Sequence, residues 1–146
     1  MYINKINQSF AKLAQKSYLP SARLALFAIY FWFGLLKILD LSPATPLARA
    51  LVNKTIGASA FDTSFMLLAV SECVIGILFL LPKFTRLAVY LLLAHMAIVC
   101  SPLFLVPSMA WDSFLVPTLE GQYIIKNLAL IALALTVFVS LKARKK

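Results

Sequence analysis

Phe61-Asp-Thr-Ser-Phe-Met-Leu-Leu-Ala-Val-Ser-Glu-Cys-Val-Ile-Gly-Ile-Leu-Phe-Leu-Leu81 decides the fold. After its polar start at Asp62–Ser64, the stretch is apolar except for Ser71 and Glu72. A helix rises about 1.5 Å per residue, so this length matches the ~30 Å of hydrocarbon in a bilayer. Glu72 lies ten residues after Asp62, about 15 Å along the axis, which is mid-membrane. A carboxylate at that depth is costly unless it is paired, faces a polar cavity or stays neutral. On a helix, Glu72 shares a face with Phe65, Leu68, Ala69, Gly76 and Phe79. Gly76 permits a neighbouring helix to come close. Glu72 is therefore either a proton carrier or ligand contact, or a buried structural partner of Lys37, Lys126, His95 or a tyrosine hydroxyl.

Three further runs have the same character: Ala22 to Leu39, Leu87 to Val106 and Gln122 to Leu141. Each is about 17–20 residues without period-2 alternation, which requires helices rather than a closed barrel. The chain has 146 residues, 62% hydrophobic and 13% charged, with a mean hydropathy of +0.92. Soluble domains average about 45–50% apolar and about 25% charged. The expected class is therefore all-α: a transmembrane four-helix bundle over residues 21–146, preceded by an interfacial helix over residues 1–20. A cleaved signal peptide is a poor alternative, because the first run exceeds the usual h-region and no A-x-A-like site follows closely. The Leu41-Ser-Pro-Ala-Thr-Pro46 segment ends the first run, and Leu47, Leu51 and Ile56 fit a short surface helix in the loop after it. Asp62 or Thr63 suits the N-cap of the second run, Pro82–Arg86 forms a tight basic turn, and Pro102 kinks the end of the third. The loop at 107–121, with Trp111, Phe114 and Pro117, suits the headgroup zone.

The net charge of +9 is distributed in a way that argues against nucleic acid as partner. Lys5, Lys12, Lys16, Arg23, Lys83, Arg86 and the closing Lys142-Ala-Arg-Lys-Lys146 would all face one side, and the 107–121 loop has no Lys or Arg. This bias places both termini in the cytoplasm. Lys37, Arg49, Lys54 and Lys126 fall on the opposite side. In residues 1–19, Ile3, Ile6, Phe10 and Leu13 form a stripe from which the lysines are largely excluded. That pattern is an amphipathic helix on the membrane surface, which Pro20 should terminate. Cys73 and Cys100 lie within apolar runs and form no CxxC, so they read as small buried hydrophobes.

The other candidate site residues are few. His95, at the middle of the third run, is the only histidine, which excludes a bis-histidine haem within one chain. A proton relay with Glu72 and a single haem axial ligand stay open beside a neutral, hydrogen-bonded structural histidine, with haem the less favoured cofactor. No set of residues argues for a metal. Lys37 shares a face with Tyr30 and Gly34. Lys126 lies one turn from Gln122 and next to Asn127, which makes that helix end unusually polar. Both lysines either snorkel to the interface or face inward over Glu72. Catalytic roles thus fall to Glu72 and His95, and ligand contacts to Tyr30, Lys37, Gln122, Lys126 and Asn127.

The Phe33-Gly-Leu-Leu-Lys37 stretch, the Glu72…Gly76 pair and Leu119-Glu-Gly-Gln-Tyr-Ile-Ile-Lys-Asn127 together resemble the DoxX family of small bacterial membrane proteins, from about Leu24 to Phe138. The resemblance implies a four-helix transmembrane bundle in the bacterial inner membrane. It also implies a link to redox chemistry, since relatives are subunits of a thiosulfate–quinone oxidoreductase, working with a partner subunit, or associate with thiol-handling enzymes. The absence of a CxxC disfavours thioredoxin-like disulfide exchange.

Three functions compete. The first is a membrane component of a quinone-linked redox system, with a quinone headgroup near Glu72, His95, Tyr30 and Lys126. The second is a carrier of a small lipophilic or anionic molecule, using the midplane carboxylate. The third is an accessory subunit in which the buried charges only fix helix register. Whether the chain is itself an oxidoreductase stays open, and a homodimer is compatible with the small-residue face at Ala129 and Ala132.

Overall fold

The computed structural model describes residues 2–143, with side chains from 7 to 141. The side chains of Ile3, Lys5 and Ile6, and those of the closing basic run, lie outside the described residues. The chain is helical nearly throughout: α1 (Tyr2–Ile38), α2 (Thr45–Thr55), α3 (Phe61–Leu80), α4 (Thr85–Cys100), the short α5 (Pro102–Leu105) and α6 (Pro107–Ala110), and α7 (Leu119–Ala143). Four stretches are long and apolar enough to cross a membrane: Asn7–Ile38, Ala58–Leu80, Pro82–Leu105 and Leu119–Leu141. The Pro82–Phe84 turn joins α3 to α4 at one end of the molecule, called here the turn end. α2 and the 101–118 connection lie at the other, the loop end.

Two glycines explain why α1 and α3 pack closest. A Cβ on Gly34 would sit 2.7 Å from the Ala69 carbonyl oxygen and 2.9 Å from the Cys73 nitrogen. One on Gly76 would sit 2.9 Å from the Phe31 nitrogen. The two helices thus touch backbone to backbone, antiparallel, and neither glycine has room for a side chain. α4 packs mainly on α7. Toward the turn end the helices enclose a fully buried apolar core of Leu26, Phe79, Val89, Leu92 and Val137.

The outer surface is as apolar as the interior. Leu24, Trp32, Leu67, Leu128 and Val139 are each about 60% exposed, whereas Arg23, Glu72, Thr85 and His95 are buried. In water this arrangement would be inverted, because a soluble fold hides its large apolar side chains and solvates its charges.

Several local expectations need correction. Pro20 does not end the first helix; α1 runs through it as one 37-residue helix. Proline removes one amide donor, here the partner of the Lys16 carbonyl, and the turns on either side are long enough to keep the helix going. Neither Asp62 nor Thr63 caps α3: the cap position is Ala60, with no side-chain bond, because the 3-10 turn Ala58–Ala60 leads straight into the helix. At Pro102 the expected disturbance is visible: α4 stops at Cys100 and α5 begins at the proline, with Ser101 between them still in helical conformation. The 107–121 segment is not simple loop. After α6 it forms an antiparallel ribbon, β1 (Trp111–Ser113) with β2 (Val116–Pro117). Trp111 Nε1 donates to the Leu103 carbonyl at 3.0 Å, and Thr118 Oγ1 donates to that of Met109 at 2.7 Å. Thr118 also accepts from the Gly121 amide at 3.0 Å, the bond of an N-cap residue, so α7 starts at Leu119 rather than Gln122.

Candidate functional site

α1 sets out Arg23, Tyr30 and Lys37 at seven-residue spacing, so all three lie on its inward face. Arg23, the lowest, belongs to the turn end. Its Nη1 donates to the Phe79 carbonyl at 3.0 Å and its Nη2 to Thr85 Oγ1 at 2.6 Å. The guanidinium therefore ties α1 to the end of α3 and the start of α4. Sequence reading treated Arg23 only as a flanking charge. Its place two turns and more inside the helix, in register with Tyr30 and Lys37, is the signal that could have identified it.

Lys37 is part of a three-residue cluster. The backbone approach at Gly34 carries the next turn of α1 alongside Glu72, and Lys37 Nζ donates to Glu72 Oε2 at 2.6 Å. The other carboxylate oxygen, Oε1, lies 3.3 Å from His95 Nε2 on α4. All three side chains are less than a tenth exposed. The carboxylate thus joins three helices and has a partner on each oxygen. A buried charge set of this kind balances desolvation against mutual attraction, and losing one member leaves another uncompensated.

The cluster forms the floor of a cavity of about 670 Å³ at the loop end. Its walls are predominantly apolar, from Ile29, Phe33, Leu36, Met96 and Val99, and the 42–47 segment closes one side. Tyr30 contributes to the same wall. It is 4% exposed, stands edge-on to the His95 ring at 5.6 Å between centroids, and its hydroxyl has no hydrogen-bond partner among the described residues. Buried hydroxyls are nearly always bonded, so an orphan donor on a cavity-lining residue, its oxygen itself covered, calls for a ligand or a water that it reaches by a small turn of the side chain.

The seven residues singled out in the sequence are divided by the fold. Tyr30, Lys37, Glu72 and His95 come together at the cavity floor, while Lys126 and Asn127 line the same cavity from α7. Lys126 is exposed and its ammonium lies 5.0 Å from the Tyr123 ring centroid, on the rim and away from Glu72's own partners. Gln122 is exposed and does not line the cavity. Missed by sequence reading were Glu120 and Tyr123, whose three- and four-residue steps to Asn127 could have been read from the pattern, and the Ser42–Leu47 wall, which only the tertiary fold places. No family model, curated protein or solved structure matches this chain.

Proposed function

We propose that the protein is a DoxX-like transmembrane four-helix bundle of the bacterial inner membrane, with both termini cytoplasmic, and that it holds a quinone headgroup as a component of a redox system. The apolar exterior, with the charged side chains of Arg23 and Glu72 turned inward, supports the membrane reading. The single observation that carries the ligand reading is the orphan hydroxyl of Tyr30, a residue that lines a largely apolar cavity. A quinone has a hydrogen-bond-accepting carbonyl at each end of an otherwise apolar ring, which fits one free donor among aliphatic and aromatic walls. Lys37 and Glu72 bring one positive and one negative charge to the floor, so a neutral ligand meets no net formal charge from that pair.

Reduction of a quinone takes up two electrons, supplied in this reading by a partner redox subunit, and two protons. Tyr30 would orient one carbonyl. His95 and Lys37, each beside a different Glu72 oxygen, would deliver protons to the cavity floor, and Glu72 would pass protons between them. In lipid nanodiscs the protein is expected to bind a short-chain benzoquinone, and Tyr30→Phe to weaken that binding about tenfold through loss of one hydrogen bond. A wild-type titration without binding overturns the quinone reading.

A second reading rests on a specific observation: both Glu72 oxygens already have partners within the protein. In an accessory subunit the cluster would only fix the register of α1, α3 and α4. Glu72→Gln would then lower stability and leave quinone binding as it was.

A further inference from the structure

α1 is longer than a membrane needs. Thirty-seven residues make a helix of about 55 Å, against ~30 Å of hydrocarbon. The excess is residues 2–19, which project beyond the turn end before Pro20.

This extension has two faces, each continuous with a face of the rest of α1. Phe10, Leu13 and Ser17 lead by three-, four- and seven-residue steps to Leu24, Ala28 and Trp32, the outward face of the long helix. Phe10 is 71% and Leu13 63% exposed, comparable to Leu24 and Trp32. Lys12 and Lys16 instead continue the line of Arg23, Tyr30 and Lys37. Within residues 1–39 there is no Asp or Glu, and the neighbouring 82–86 turn adds Lys83 and Arg86. Among the described residues, the turn end is therefore cationic with no Asp or Glu to offset it. A bend outward at Pro20, where one backbone bond is already missing, turns the Phe10–Leu13 stripe toward the bilayer and keeps the lysines at headgroup level.

From this we infer that residues 2–19 form a docking arm for an anionic lipid leaflet, hinged at Pro20. The inference rests on the membrane reading of the four long helices and is independent of the quinone. The apolar stripe extends the lipid-facing surface of α1, and the lysines match anionic headgroups. Each lysine near such a surface favours the docked state about fivefold.

The test uses the full chain in nanodiscs of phosphatidylcholine alone or with phosphatidylglycerol, and trypsin cleavage after Lys12 and Lys16. Incorporation into the discs reports on the membrane reading; the cleavage rates report on the arm. Cleavage is expected to be at least about tenfold slower in the anionic discs. The double variant Phe10→Asp with Leu13→Asp, which alters only the projecting segment, is expected to abolish that difference. Equal wild-type rates in both lipids would overturn the inference. So would protection that rises with the number of protein copies per disc whatever the lipid, which would mean a second copy covers the stripe. Protection in phosphatidylcholine discs on adding free glycerol 3-phosphate would likewise overturn it, by showing a phosphate site rather than a surface.

Discussion

The two ends of the molecule place a buried cation in different surroundings. At the turn end Arg23 stands against a filled core and donates to a backbone carbonyl on α3 and a hydroxyl on α4. At the loop end, fourteen residues along the same helix face, Lys37 meets a carboxylate at the edge of a cavity. The first arrangement spends a charge on holding helix ends together. The second leaves titratable groups beside open volume, an arrangement that functional sites share. The filled core and the titratable cluster are thus segregated along one axis, with Tyr30 at the boundary.

Substitutions can break or sharpen this contrast. The largest effect is expected for Glu72→Leu, which strands a buried ammonium: about 3–5 kcal/mol lost, with most of it restored in the double variant with Lys37→Met. Thermal unfolding in detergent reads both, and a single variant as stable as wild type would show that the pair is not buried in solution. Next, Leu26→Ala in the filled core should cost about 2–5 kcal/mol, whereas Val99→Ala in the cavity wall should cost about 1 kcal/mol, since one opens a new void and the other enlarges an existing one. Equal losses would erase the distinction between the halves. Arg23→Met should cost about 1–3 kcal/mol by leaving the Phe79 carbonyl and Thr85 hydroxyl short of a donor, without changing ligand affinity. Smallest of all, Tyr30→Phe should leave the unfolding free energy of the ligand-free protein within about 0.5 kcal/mol of wild type, because its hydroxyl gives up no bond inside the protein. A marked loss there would mean that the hydroxyl has an internal partner after all.

What the sequence showed, and what it hid, follows from how local each signal is. The four long apolar runs are local and were read to within a few residues at α1's end and throughout α3. Expectations about the helix starts failed where a neighbouring element supplied the bond: Ala58–Ala60 ahead of α3, and Thr118 ahead of α7. Pro20 misled because a proline rule concerns one hydrogen bond, while the helix is held by the many on either side. The ribbon at Trp111–Pro117 was illegible, being too short to alternate and held by bonds to Leu103 and Met109. Glu72 and His95 could be flagged from depth alone. That they meet, and that Lys37 rather than Lys126 completes the cluster, depends on the close passage of α1 and α3 at Gly34 and Gly76, which no single segment reveals.

The seven-residue line on α1 has a consequence for how this chain can change. Arg23 and Lys37 serve opposite ends of the molecule through a single rigid rod, so their angular phase is shared. Deleting one residue between Leu24 and Leu36 would rotate one end against the other by about 100° and swing either the guanidinium or the ammonium out to the apolar exterior. Within that interval, insertions near a whole heptad alone preserve the phase, and even those would shift the upper contact by about 10 Å along the axis.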